Sequence, residues 1–263
     1  MRILVTTSDQ FLHLLSPYAI LFEKYWPGQQ VTFLGFDNSS LPSLPDNFEF
    51  VSLGSQKDFG KAWTTPLIPY IDSVKEDYFA VVMGDMVLTD YVDIERMNLL
   101  KEIVKSGSAQ KAILDTHLNG YSLPYDENLV QLTPTAPYRT TLHPAIWRKE
   151  YFQKYLKPAY TAWDFEIKNM PESQQDGATI VSLRSSDGNT TVDPSSNVFK
   201  TSNVYKKGVP FPRRDLQLPW GSSAGIRKED ILLVYNYILE GSEKKKTLLA
   251  KFDELLEDGK LYC

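Results

Sequence analysis

Cysteine is nearly absent from this chain. Cys263 is the sole example among 263 residues, which excludes an intrachain disulfide and any zinc site built from cysteines. Histidine is almost as scarce: only His13, His117 and His143 occur, too few for a multi-histidine metal centre. No apolar stretch approaches the roughly 20 residues that a membrane-spanning helix needs. The opening MRILVTTSDQ has one arginine and a short apolar run, so it reads as a first strand rather than a signal peptide. These absences lead to the expectation of a soluble cytoplasmic protein. Basic charge is not in excess either, with 28 Lys plus Arg against 33 Asp plus Glu and a formal net charge of −5. That argues against a surface coated with phosphate-binding charge. Glycine (14) is outnumbered by proline (16), which fits long structured loops.

What is present is globular in composition, 42% hydrophobic, 23% charged and 13% aromatic. Ile3-Leu4-Val5 runs straight into Thr6-Thr7-Ser8-Asp9, as a buried parallel strand does when it ends at a helix entrance. Helical spacing of Phe11, Leu14, Leu15, Tyr18, Phe22 and Tyr25 follows, ending at Pro27-Gly28, and Pro17 predicts a kink or a fresh start capped by Ser16. Strands are predicted at 31–35, 48–51, 78–83 and 111–115, and helices at 61–76 and 94–106. Strand alternating with helix implies an α/β fold with a largely parallel sheet. The second half is less regular. It predicts strands near 128–132 and 178–183, helices near 144–156 and 162–169, a loop-rich stretch from 184 to 225 and two C-terminal helices. With no repeat and no clear linker, one domain over 1–263 is expected.

Three constellations can carry chemistry. The strand at 78–83 ends in Gly84-Asp85, and in open α/β sheets ligands bind beyond the carboxyl ends of strands. Asp85 is therefore a ligand or metal contact, or else caps the next turn through its own backbone. Trp163-Asp164-Phe165-Glu166 places two carboxylates about 200° apart around a helix. One can cap the helix while the other faces a ligand as a general base, with the aromatics as its walls or as core. Residues 200–228 hold Lys200, Lys206, Lys207, Arg213, Arg214, Arg227 and Lys228 against Asp215 alone, a net +6 that leaves −11 on the rest. Such a loop suits a phosphorylated ligand or simply stays solvated. No Gly-x-Ser-x-Gly elbow occurs, and Gly221-Ser222-Ser223-Ala224-Gly225 lacks the Walker spacing. His143-Pro144 reads as a loop before a helix. Trp147 and Tyr151 read as core.

The first strand with its Thr6-Thr7-Ser8-Asp9 end, the acidic turn at Asp85 and the Trp-Asp-Phe-Glu helix start together resemble a GT-A-type glycosyltransferase. More closely, Leu12-His13-Leu14-Leu15, Lys24-Tyr25-Trp26-Pro27, Leu44-Pro45-Asp46-Asn47-Phe48, Pro137-Tyr138-Arg139-Thr140 and Ile146-Trp147-Arg148 are similar to a family of predicted glycosyltransferases common in phages and environmental sequences. The resemblance covers most of residues 1–170. It implies a single GT-A-like, Rossmann-like α/β domain with a mostly parallel sheet flanked by helices. Residues 1–115 would be the nucleotide-sugar-binding half and 116–263 the acceptor half.

By that resemblance Thr6, Thr7 and Asp9 line the nucleoside pocket. Gly84-Asp85-Met86 stands where the family carries an Asp-x-Asp pair for a divalent metal on the donor diphosphate. Met83 reduces the pair to Asp85, and no histidine follows residue 143. Dependence on Mn²⁺ or Mg²⁺ is then expected to be weak or absent, with Lys206, Lys207, Arg213 and Arg214 neutralising the leaving diphosphate. Glu166, ahead of Asp164, is the candidate base of an inverting reaction; a retaining one needs no such base. The implied activity moves a sugar from a nucleotide diphosphate sugar to an acceptor hydroxyl, on a glycan or, alternatively, on a hydroxymethylated DNA base. A binding module with a degenerate metal site is the non-catalytic alternative. A nucleotidyltransferase is disfavoured because residues 1–20 contain no glycine.

Overall fold

The buried strand foreseen at the N-terminus is β1 (Arg2–Thr6), which lies inside a nine-stranded sheet. A computed structural model describes residues 1–37, 39, 41–114, 121–184, 201–203, 205–206, 209–210 and 227–239. Along the chain β1 is followed by α1 (Leu15–Tyr25), β2 (Val31–Gly35), β3 (Phe48–Ser52), α2 (Gln56–Phe59), α3 (Thr64–Ser73), β4 (Tyr78–Met83), β5 (Met86–Leu88) and α4 (Ile94–Lys105). Then come β6 (Lys111–Ile113), β7 (Ser122–Pro124), β8 (Leu129–Leu132), β9 (Ala145–Arg148), α5 (Lys149–Tyr155), α6 (Ala162–Lys168), α7 (Met170–Ser173) and β10 (Ile180–Leu183). Short strands β11 (Thr201–Asn203), β12 (Tyr205–Lys206) and β13 (Val209–Pro210) precede α8 (Lys228–Leu239).

The sheet order is β3-β2-β1-β4-β9-β6-β10-β8-β7. Seven of its strands point one way, and only β9 and β8 are reversed. The fold is thus α/β with a mostly parallel central sheet. Successive side chains of a strand face opposite sides, and the core divides accordingly. Ile3, Val5, Phe33, Ala80 and Val82 join Tyr18, Phe22 and Tyr25 of α1 and Met97, Leu100 and Val104 of α4. Leu4, Leu34, Phe79, Val81 and Trp147 join Leu67 and Ile71 of α3, Phe152 and Tyr155 of α5 and Phe165 of α6. Both faces are covered, which is why these strands read as near-continuous apolar runs.

Most predicted elements lie where expected, with instructive exceptions. A 3₁₀ turn spans Asp9–Leu14, and α1 starts at Leu15 with Leu14, not Ser16, as its N-cap. Pro17 falls in the first turn, where a backbone N–H has no helical acceptor to lose. The helix foreseen at 144–156 is instead β9 followed by α5. Ala145, Ile146 and Trp147 fill the slot between β4 and β6, and both neighbours bond to them. An apolar run of that length is ambiguous between strand and helix, and the open slot in the sheet decides it. His143-Pro144 therefore precedes a strand. Trp147 is core, as read, although on a strand. The start of α8 is docked on α1, where buried Asp230 accepts from Lys24 Nζ at 2.6 Å and from the Tyr25 hydroxyl.

Candidate active site

The chain leaves β1 for β2 and β3 on one side, then returns to β4 on the other. This reversal makes the carboxyl ends of β1 and β4 a topological switch point, the position at which open α/β sheets bind ligands. Register brings Thr6 level with Met83, and the Thr6 hydroxyl lies 3.3 Å from the Met83 sulfur. The Gly84 N–H donates to Thr6 O at 2.8 Å, and the Thr7 N–H to Leu34 O at 2.9 Å. A Cβ on Gly84 would meet Thr6 O at 3.0 Å and the Thr7 side chain at 3.1 Å and 3.2 Å. The two strand ends touch with no room to spare. Gly84→Ala is therefore expected to push them apart, lowering the melting temperature and weakening ligand binding here, as a thermal melt and a titration would record.

Asp85, half-buried, follows directly on this contact. Tyr18 of α1 is buried, and its hydroxyl has no hydrogen-bond partner among the described residues. Burial first, and then the negative charge of Asp85, push the Tyr18 pKa far up. The phenol therefore stays neutral, a proton-bearing group in the field of the Asp85 carboxylate. Asp9 ties neighbouring loops together: its Oδ1 accepts from the Asp37 N–H at 2.9 Å, and its own N–H donates to Gln56 Oε1 at 2.9 Å. Thr6, Thr7, Asp9, Gly84 and Asp85 thus lie on one edge of the sheet.

The same edge continues through the residues that enter β9. Leu114, just past β6, donates its N–H to Pro144 O at 2.9 Å. Here Glu166 enters from α6: its Oε1 accepts from the Leu142 N–H at 2.6 Å and from the Thr141 hydroxyl at 3.1 Å. Asp164 does different work. It completes a capping box with Thr161, accepting from the Thr161 N–H at 3.1 Å while Thr161 Oγ1 accepts from the Asp164 N–H at 3.0 Å. Its other contact is Lys168 at 2.8 Å. The Lys168 hydrogen bond, then the Thr161 N–H, hold its carboxyl below the usual carboxylate range. The two carboxylates of α6 have separate partners, as their angular separation requires.

Two buried cations fix the segment that Glu166 meets. Lys111, fully buried, donates to Arg139 O at 3.1 Å and Thr141 O at 2.8 Å, and its Nζ lies 4.0 Å from the Trp147 ring centre. Arg139, also buried, donates to Ser173 O and Ala178 O at 2.7 Å and to Thr133 O at 2.9 Å. It lies 3.6 Å from Asp176, itself buried, which accepts from the Tyr155 hydroxyl at 2.5 Å. Burial opposes ionisation of Asp176, but hydrogen bonds from Tyr155 and the Ala178 N–H outweigh it and leave the carboxyl below its ordinary value. Pro137-Tyr138-Arg139-Thr140 was the available signal, yet local sequence does not reveal that its arginine is buried.

Among the described residues no group of three His, Cys, Asp or Glu side chains is arranged to hold a metal ion. A hard cation wants several oxygen ligands, so the described residues do not by themselves make a divalent-metal site at Asp85. The backbone of Lys206 lies in β12. Lys207, Arg213 and Arg214, with most of the 200–228 loop, lie outside the described residues, as does His117. No helix among the described residues is long and apolar enough to cross a membrane.

No family model matches the chain, and no curated protein matches it. Solved structures that resemble it include the bifunctional IspDF of Campylobacter jejuni, at 14% identity and a TM-score of 0.41, over 72% of this chain and 50% of that one. The chain thus matches about half the length of that protein. An active-site mutant of LgtC is similar at 12% identity and a TM-score of 0.39, over 70% of this chain and 73% of that one. At such values neither likeness assigns a family.

Proposed function

We propose that this chain is a glycosyltransferase that moves a sugar from a nucleotide diphosphate sugar to an acceptor hydroxyl. The supporting observation is the β1–β4 switch point, where Thr6 and Thr7 close on Gly84 and Asp85 follows directly along the chain. In this reading Thr6, Thr7 and Asp9 line the nucleoside side and Asp85 faces the donor diphosphate. Lys206, Lys207, Arg213 and Arg214 balance the charge of the departing diphosphate. Glu166 is the base, in preference to Asp164, whose carboxylate is committed to its cap and to Lys168. In an inverting reaction Glu166 takes the acceptor proton, the acceptor oxygen bonds to the anomeric carbon, and the bond to the diphosphate breaks with its electron pair. With Met83 in place of the first acid of an Asp-x-Asp pair, dependence on Mn²⁺ or Mg²⁺ is weak or absent.

A thermal-shift screen of nucleotide diphosphate sugars, with and without Mn²⁺, tests the reading. A donor present at a hundred times its dissociation constant adds about 2.7 kcal/mol of stability. Asp85→Asn is expected to reduce that shift and the release of nucleoside diphosphate while leaving the unliganded melt near the parent's. Full turnover in Asp85→Asn removes Asp85 from the site. Donor binding without transfer or hydrolysis under any metal turns the reading into that of a binding module.

A further inference from the structure

Trp163 is 67% exposed, an unusual place for the largest apolar side chain. It stands in the first turn of α6, whose Phe165 is buried in the core. At about 100° per residue, Trp163 lies between Glu166 on one side and Ile167 on the other. Ile167 is also exposed. The Trp163 and Glu166 side chains therefore leave the helix about 60° apart, and the Glu166 carboxylate is fixed in direction by the Leu142 N–H and the Thr141 hydroxyl. The facing segment is equally held. Thr140 Oγ1 donates toward the carbonyls of Phe165 and Glu166 at 3.3 Å and 3.2 Å. Two residues before it, Tyr138 is half exposed and keeps a φ of 52°, a left-handed conformation that a non-glycine residue adopts only when its surroundings impose it.

We propose that this surface is the acceptor subsite and that its ligand is a neutral saccharide, whose ring stacks on Trp163 while one of its hydroxyls meets Glu166. The assignment rests on the glycosyltransferase reading and deepens it. A pyranose ring offers a flat C–H face to an aromatic and a rim of hydroxyls to polar groups, the same division that Trp163 and Glu166 present. Charge argues against a nucleic acid here. The carboxylates Asp164 and Glu166 belong to this helix, and its one cation, Lys168, is paired with Asp164. The buried cations Lys111 and Arg139 are turned toward backbone carbonyls. A phosphate backbone would meet repulsion rather than the counter-charge that drives such binding.

Saturation-transfer NMR with methyl glycosides of glucose, galactose and N-acetylglucosamine reads binding directly and needs no donor. At least one glycoside is expected to bind the parent, Trp163→Ala to weaken it about tenfold or more, and Trp163→Tyr to retain most of it. Because Trp163 is exposed, both variants should melt near the parent, and nucleotide-sugar binding should be unchanged in them. Binding of a glycoside that is indifferent to Trp163→Ala overturns the proposal, as does a parent that binds none of the three. Two further results also overturn it: Trp163-dependent binding of a single-stranded DNA oligomer in place of the glycosides, or Trp163-dependent dimerisation in sedimentation. A parent that binds glycosides through Trp163 but no nucleotide sugar overturns the donor reading instead, so the two failures are separable.

Discussion

Glu166→Gln is expected to lower glycosyl transfer by about a hundred- to ten-thousand-fold, the range spanned by loss of a general base, with a melting temperature near the parent's. The substitution separates the proposed base from the hydrogen-bonded brace that Glu166 forms. Glu166 Oε1 accepts from the Leu142 N–H and the Thr141 hydroxyl, and a glutamine carbonyl oxygen accepts the same two bonds. The brace between α6 and the entry to β9 therefore survives, while the ability to take a proton is lost. A purely structural Glu166 predicts unchanged turnover. Steady-state kinetics on the nucleotide sugar and acceptor, read beside a thermal melt, decides between the two. Asp164→Asn is the companion measurement: it disturbs the α6 cap and the Lys168 pair, so it should move stability more than turnover.

Replacing Asp176 by alanine is expected to cost about 3–5 kcal/mol, the penalty for leaving a buried partner charge uncompensated. The reason lies in the segment before β9. Arg139 and Asp176 are 2% and 1% exposed and 3.6 Å apart, and Tyr155 and the Ala178 N–H also donate to Asp176. Removing the carboxylate takes away the counter-charge of a guanidinium otherwise held by backbone carbonyls and leaves two donors without their acceptor. A pH series sharpens the test. The Asp176 carboxyl is held below its ordinary value, so ionised Asp176 favours the folded state above the unfolded pKa of about 3.9. That contribution is lost as the pH falls through the lower, native value. The gap in unfolding free energy between the parent and Asp176→Asn should be full at neutral pH and narrow below about pH 4. Urea melts across that range check it, and a gap that widens in acid would refute the assignment.

Much of the fold was legible because burial on both faces leaves a local mark. Val31–Gly35 and Tyr78–Met83 are near-continuous apolar runs with the observed bounds, and Ile94–Lys105 carries its own N-cap in Asp93. The strand-end acid at Asp85 could be named for the same reason: a strand that stops at Gly-Asp announces the carboxyl edge of the sheet. Residues 145–148 were illegible as a strand because Ala-Ile-Trp fits either period, and only the vacancy between β4 and β6 chooses. The division of labour between Asp164 and Glu166 was half legible. Helix geometry separates the two carboxylates, but which loop lies within reach of Glu166 depends on where β9 enters the sheet.

The scarcity of cysteine and histidine by itself removed disulfides, cysteine-zinc sites and histidine-rich metal centres from consideration, and periodicity by itself determined an α/β chain. Those conclusions follow from residue counts and nearest neighbours along the chain. Tertiary structure alone decided that Gly84 closes on Thr6 and Thr7, that Glu166 bonds to Leu142, and that the side chains of Lys111, Arg139 and Asp176 are buried. These contacts join residues tens of positions apart. A lysine or arginine written in a sequence carries its charge openly, and only the packed fold shows whether water or a carbonyl receives it.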